Sequence, residues 1–188
     1  MITHPLCGKI TMMIIRVAER ITAFTDMLAA LLTIPLIAAL VYEVFSRYVL
    51  DNPTFWAYEI SYMLMGSIFV LAMGYALKIR QHVSVDLLYG RFSPRGKAVV
   101  DVLGYCLFGT AVWWMTVELY ASATLAFQNG EVTGKSAWNP VVWPVYTAWF
   151  VGFLTLGIQV LAELVKSTVT LFTGKTSETE EKEPGVGL

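Results

Sequence analysis

Glu43 and Arg47 stand four residues apart, so a helix would place them one above the other on a single face. Glu59 follows across a short turn, and Glu118 interrupts a third apolar stretch. An ionisable group inside an apolar segment marks an ion or substrate site by default, because holding a charge there costs several kcal/mol. Glu43 and Arg47 are placed near the outer end of the first segment, Glu59 at the start of the second, and Glu118 toward the outer end of the third. Their spacing favours a plainer reading: Glu43, Arg47 and Glu59 form a structural polar cluster in which Arg47 pairs with one of the acids. A salt bridge to another subunit is the third reading. Histidines occur only at His4 and His82, outside the apolar runs, whereas haem between helices needs His or Met at facing depths. Cys7 and Cys106 form no C-x-x-C pair and read as inert thiols. The sequence holds no Gly-rich phosphate loop, H-E-x-x-H or G-x-S-x-G. No catalytic residue, metal ligand or cofactor site is expected, and the chain is not expected to be an enzyme.

Composition sets the elements that must carry these residues. Of 188 residues, 14% are charged and 56% hydrophobic. An average soluble protein carries roughly 25% charged residues, so this chain has too little polar surface for a soluble globule. A net charge of −1 without a basic stripe disfavours nucleic-acid binding. Residues 27–42, 60–77, 102–117 and 136–162 contain no charge at all. Four such runs predict an all-α integral membrane protein with four transmembrane helices. The spans are expected at about 21–48, 54–79, 94–128 and 140–165. Asp51-Asn52-Pro53 ends the first, and Gln81-His82 the second. Ser93-Pro94 and Asn139-Pro140 each offer a capping residue followed by proline, the pattern that opens the third and fourth. The third span has no breaker before Asn129-Gly130, so it must tilt or protrude. Pro35 and Pro144 can each kink a helix.

The flanks differ in kind. Ile10, Met13, Ile14, Val17, Ile21 and Phe24 share one helical face, and Lys9, Arg16, Glu19 and Arg20 take the other. This predicts an N-terminal amphipathic interfacial helix within residues 1–20; the alternative is an extension of the first span. Residues 21–173 then form the membrane domain, and 174–188 read as a disordered acidic tail. Eleven Lys and Arg fall in the N-terminal segment, the second connection and the C-terminal segment, against only Arg47 and Lys135 in the other two connections. That split predicts both termini in the cytoplasm. All six Trp are then expected toward the outer side. Trp138 and Trp143 read as headgroup anchors or as part of a surface where another protein docks. Gly74 and Gly152 would let a partner helix approach closely, and His82 is a further candidate contact.

The order of several short motifs resembles a known family. These are Glu43-Val-Phe-Ser-Arg47-Tyr48, then Asn52-Pro53-Thr54-Phe55-Trp56-Ala57-Tyr58-Glu59, then Lys78-Ile-Arg80-Gln-His82-Val83-Ser84-Val85-Asp86. Together with Ser136, Pro140 and Pro144, they resemble the small membrane subunit of tripartite ATP-independent periplasmic (TRAP) transporters, the DctQ family, over roughly residues 20–165. The resemblance implies a small subunit of a sodium-driven secondary transporter in a bacterial or archaeal inner membrane. Its partners would be a large permease subunit, which carries the substrate and sodium sites, and a periplasmic substrate-binding protein. The substrate would be an organic acid, and the small subunit would stabilise the large one's scaffold without a substrate site of its own. The residues alone leave two alternatives, a stand-alone four-helix carrier or a membrane anchor subunit of a redox enzyme.

Overall fold

A computed structural model describes residues 5–79 and 94–173; His82 and the expected tail at 174–188 lie outside the described residues. The chain forms α1 (Pro5–Tyr48), α2 (Ala57–Lys78), α3 (Pro94–Asn129) and α4 (Trp143–Thr173). Each contains a stretch long and apolar enough to cross a membrane: Ile15–Tyr48, Ala57–Lys78, Gly96–Asn129 and Trp143–Leu171. No strand occurs among the described residues, apart from an isolated antiparallel bridge between Val132 and Val141. The protein is an all-helical, multi-pass membrane protein.

Several expected boundaries move, each for a local reason. The division near residue 20 is absent: α1 is one 44-residue helix, because neither Gly nor Pro lies between Gly8 and Pro35. Of the apolar residues assigned to an interfacial face, Met13, Val17 and Phe24 are exposed rather than packed on the other helices. Ala18, Thr22 and Thr25 on the opposite side are buried. The segment 10–20 is therefore part of the same rod as the first span. That rod ends where Asp51 turns left-handed (φ 48°) ahead of Pro53. Helix α2 starts at Ala57 rather than 54, because Thr54 is held outside it by Glu43. At the end of α3, Gly130 takes φ 61° and the Glu131 N–H reaches back to the Ala126 carbonyl at 3.0 Å. This is the glycine-terminated helix stop expected at Asn129-Gly130. Asn139-Pro140 does not open α4. Asn139 has φ 46°, and the Pro140 carbonyl accepts the Thr133 N–H at 3.0 Å, so both residues belong to the bridged connection. Pro144 instead occupies the first turn of α4, where its missing N–H is not needed.

Helix α4 is central: it packs against α1, α2 and α3, α1 also packs on α2, and α3 leans chiefly on α4. Glycines set how closely these helices cross. A Cβ on Gly152 would lie 2.6 Å from Val70 Cγ1 and 2.9 Å from the Val70 carbonyl carbon. One on Gly74 would lie 3.0 Å from Thr22 Cγ2. Both glycines are buried. Gly74 and Gly152, expected to receive a partner helix, are thus used inside the chain, and their small size serves the α1–α2–α4 crossing.

The contacts also fix the relative levels of the helices. Gly66 meets Trp149, Gly152 meets Val70, and Gly74 meets both Thr22 and the Leu156 backbone. Along α3, Phe127 stacks edge-on with Trp143, Tyr120 lies against Phe150, and Val112 approaches Gly157. The Asn129 end of α3 is therefore level with the start of α2, and the extra length of α1, α3 and α4 lies beyond Lys78. Trp113 and Trp114 sit near the level of Leu156 and Gly74, closer to the Lys78 end of α2 than the other four Trp. Glu118 sits near the level of Gly152 and Val70, about 12 Å from the Lys78 end at 1.5 Å per residue. The middle of the bundle is therefore not free of charge.

Candidate functional site

At the end of α1, Arg47 Nε donates to Glu43 Oε1 at 2.8 Å, and the guanidinium forms a second, ionic contact to the same oxygen. Glu43 Oε2 accepts from the Thr54 backbone N–H at 2.9 Å and from the Thr54 hydroxyl. The carboxylate thus ties the last turn of α1 to the turn that leads into α2. Its position follows from i, i+4 geometry, which stacks it beneath Arg47. Tyr42 stacks on Trp56 with ring centroids 5.8 Å apart, closing the same corner.

Glu59 is not brought to Arg47. It is fully buried, and Thr133 Oγ1 donates to its Oε1 at 2.6 Å, which links α2 to the connection between α3 and α4. Its Oε2 is buried without a hydrogen-bond partner. That connection is ordered by its own bonds: Val142 N–H to the Glu131 carbonyl at 3.0 Å, and Gly134 N–H to Asn139 Oδ1 at 2.6 Å. Lys135 Nζ lies 4.8 Å from the centre of the Tyr62 ring, one turn along α2 from Glu59. Trp138 and Trp143 are 39% and 37% exposed on this surface.

Sequence reasoning missed a second polar network near the Lys78 end. Lys166 Nζ donates to Glu19 Oε1 at 2.7 Å and to Glu163 Oε1 at 2.9 Å. Gln159 Nε2 donates to the same Glu163 oxygen at 3.0 Å, and Thr22 Oγ1 approaches Gln159 Oε1 at 3.4 Å. Lys78 Nζ lies 3.9 Å from Glu19 Oε2. Thr22, Gln159 and Glu163 are buried. Three helices therefore meet around two carboxylates and two ammonium groups, and hydrogen bonds satisfy Glu163 as burial requires. Gln159, the single amide in α4, was the available signal. Asp26, half-buried one turn outward from Thr22, was also passed over.

Among the described residues, no group of His, Cys, Asp and Glu converges as a metal site would require. Cys106 is exposed on α3 and is a free thiol. The polar groups that do converge join one helix to another at the two ends of the bundle. Residues 36–170 match the family model for tripartite ATP-independent periplasmic transporters, DctQ component. The chain belongs to the DctQ family. No curated protein and no solved structure matches it. This DctQ chain is therefore a component of a TRAP transporter, an assembly of several subunits. The matched range begins within α1 and ends within α4, so it includes Glu43, Arg47, Glu59, Glu118 and the α2 and α4 members of the network near Lys78. Glu19 and Thr22 precede it.

Proposed function

We propose that this DctQ chain is the non-catalytic small membrane subunit of a sodium-driven TRAP transporter that imports an organic acid. In this reading it stabilises the scaffold of the large permease subunit in the inner membrane of a bacterium or archaeon. The distribution of polar groups supports it. Glu43, Glu59 and Gln159 each bond to another element of the same chain, and Glu163 shares Lys166 with Glu19 of α1. The outer flanks of α1 and α3 are broadly apolar, with Ile34, Leu107 and Trp113 among many exposed side chains. A subunit that holds its own helices at both ends and offers apolar flanks suits a scaffold better than a carrier, which needs polar groups along a path.

The Lys and Arg distribution supports cytoplasmic termini and a cytoplasmic connection at 80–93. The 130–142 connection then faces the periplasm, where Trp138 and Trp143 flank the place where a substrate-binding protein docks. His82 lies on the cytoplasmic side, as a contact to the large subunit. The test is uptake of a panel of labelled organic acids under a sodium gradient, in cells carrying the large subunit and binding protein with or without this chain. Uptake is expected only with all three. Full uptake without this chain, at equal expression of the others, refutes the reading. Trp138→Ala and Trp143→Ala should weaken uptake while leaving the membrane complex intact.

A further inference from the structure

Glu118 lies in the apolar span Gly96–Asn129, yet it is exposed on the surface of the chain. It makes no hydrogen bond or ion pair among the described residues. It is about 16 Å along α3 from Asn129 and about 12 Å above the level of Lys78, so it lies within the hydrocarbon by either measure. Its stem of two methylenes is far too short to reach water from there. A helix turns about 100° per residue, which puts Leu107, Ala111, Trp114, Glu118 and Leu125 within about 60° of one another. Leu107 is 79% exposed and Trp114 66%. Val112 and Thr116, on the opposite side, are buried toward α4. The carboxylate therefore lies on the exposed side of α3, facing away from the core of its own bundle.

The geometry points to this stripe of α3 as the face that receives a transmembrane helix of another transporter component, carrying an arginine opposite Glu118. Lipid tails offer no donor, and a carboxylate left among them costs several kcal/mol. A second copy of this chain docking through the same stripe would bring two Glu118 side chains together, which like charges oppose. Arginine fits best: its planar fork bonds a carboxylate with two parallel N–H groups, and it stacks on an indole such as Trp114, one turn away. Asp26, at a similar depth on α1, is half-buried in the bundle and does not face outward in this way. The inference rests on the function proposed above only for the identity of the partner.

The test places a photo-activated cross-linking residue at Leu107 and at Leu125 in the full transporter in native membranes, with Phe69 and Leu161 as controls on other faces. Positions 107 and 125 should link to the large subunit, and the linked peptide should place an arginine near Glu118. Glu118→Leu should lower recovery of the large subunit at least about tenfold, as expected for breaking a buried charge pair. Glu118→Lys should do the same and be rescued when the partner arginine becomes glutamate. Because Glu118 has no partner among the described residues, Glu118→Leu should not lower the melting temperature of the isolated chain, which separates docking from folding. Links only to lipid or to a second copy, or undiminished recovery by Glu118→Leu, overturn the inference. If the unaltered chain recovers no large subunit, the functional reading fails instead. The polypeptide linked at 107 and 125, with or without an arginine opposite Glu118, then decides the inference by itself.

Discussion

Replacing Lys166 by Met tests whether the polar network around Glu163 stabilises the fold. The Glu163 side chain is 3% exposed, and Lys166 is its cation at 2.9 Å. Lys78 reaches Glu19, at 3.9 Å, and makes no ion pair with Glu163. Lys166→Met therefore leaves Glu163 buried with the Gln159 amide as its remaining donor, while Glu19 keeps Lys78. Breaking a buried pair in this way costs about 3–5 kcal/mol. Lys166 is itself 22% exposed, which places the expectation at the low end, about 3 kcal/mol. For a domain of this size each kcal/mol shifts Tm by about 2–4 °C, so the variant should melt about 6–12 °C lower. The six tryptophans supply the fluorescence signal for melting the chain in detergent. Glu163→Gln combined with Lys166→Met removes both charges and should recover more than half of the loss. A Lys166→Met variant that melts within about 2 °C of the parent refutes the argument. So does a double variant whose loss equals the sum of the two single losses, since partners that interact are not additive.

Three further outcomes follow from particular contacts. Gly152→Ala forces a Cβ to 2.6 Å from Val70 and should cost about 1–3 kcal/mol. Gly157→Ala meets Val112 at an ordinary 3.6 Å, so Tm should fall for the first and hold for the second. Glu43→Ala should speed amide hydrogen exchange across 50–56 more than Arg47→Ala does, because Glu43 also holds Thr54; equal effects would contradict this. Thr133→Val removes the donor to buried Glu59 and should cost about 1–3 kcal/mol. It should also speed exchange over 131–142, and unchanged exchange there would show that the bridged connection stands without Glu59.

The sequence carried the number and rough extent of the helices because each rests on a local property. A run without charge needs a membrane, and Gly130 or Asp51-Asn52-Pro53 ends a helix wherever it occurs. Starts were less legible. Asn139-Pro140 has the composition of a cap, but the bridge between Val132 and Val141 takes it for the connection instead. Thr54 has nothing against helix in itself, and its bond to Glu43 keeps it out. The Glu43–Arg47 contact was readable because i, i+4 spacing is independent of tertiary structure. Contacts between helices were not. Gly74 and Gly152 fit either an internal or an external interface, and only the crossing with Thr22 and Val70 decides between them. The level of Glu118 against the other helices was not legible for the same reason: chain position does not reveal how far one helix slides along its neighbour.

The placing of these bonds separates α3 from the other helices. Helices α1, α2 and α4 share the Glu19–Lys166–Glu163 network at one end and glycine crossings in the middle. Beyond Phe108, no side-chain hydrogen bond or ion pair joins α3 itself to another helix among the described residues. The hydroxyls of Thr110, Thr116 and Thr124 all return to carbonyls of their own helix. What holds this part of α3 is apolar packing on α4, helped by Thr133 just past its end. In a bilayer such packing competes with equally apolar lipid tails, so it is a weaker constraint than it would be in water. The stretch of α3 that carries Glu118 outward is thus held to its own bundle by packing rather than by polar bonds. A partner that supplies a cation at Glu118 would satisfy the charge and fix α3 in the same step.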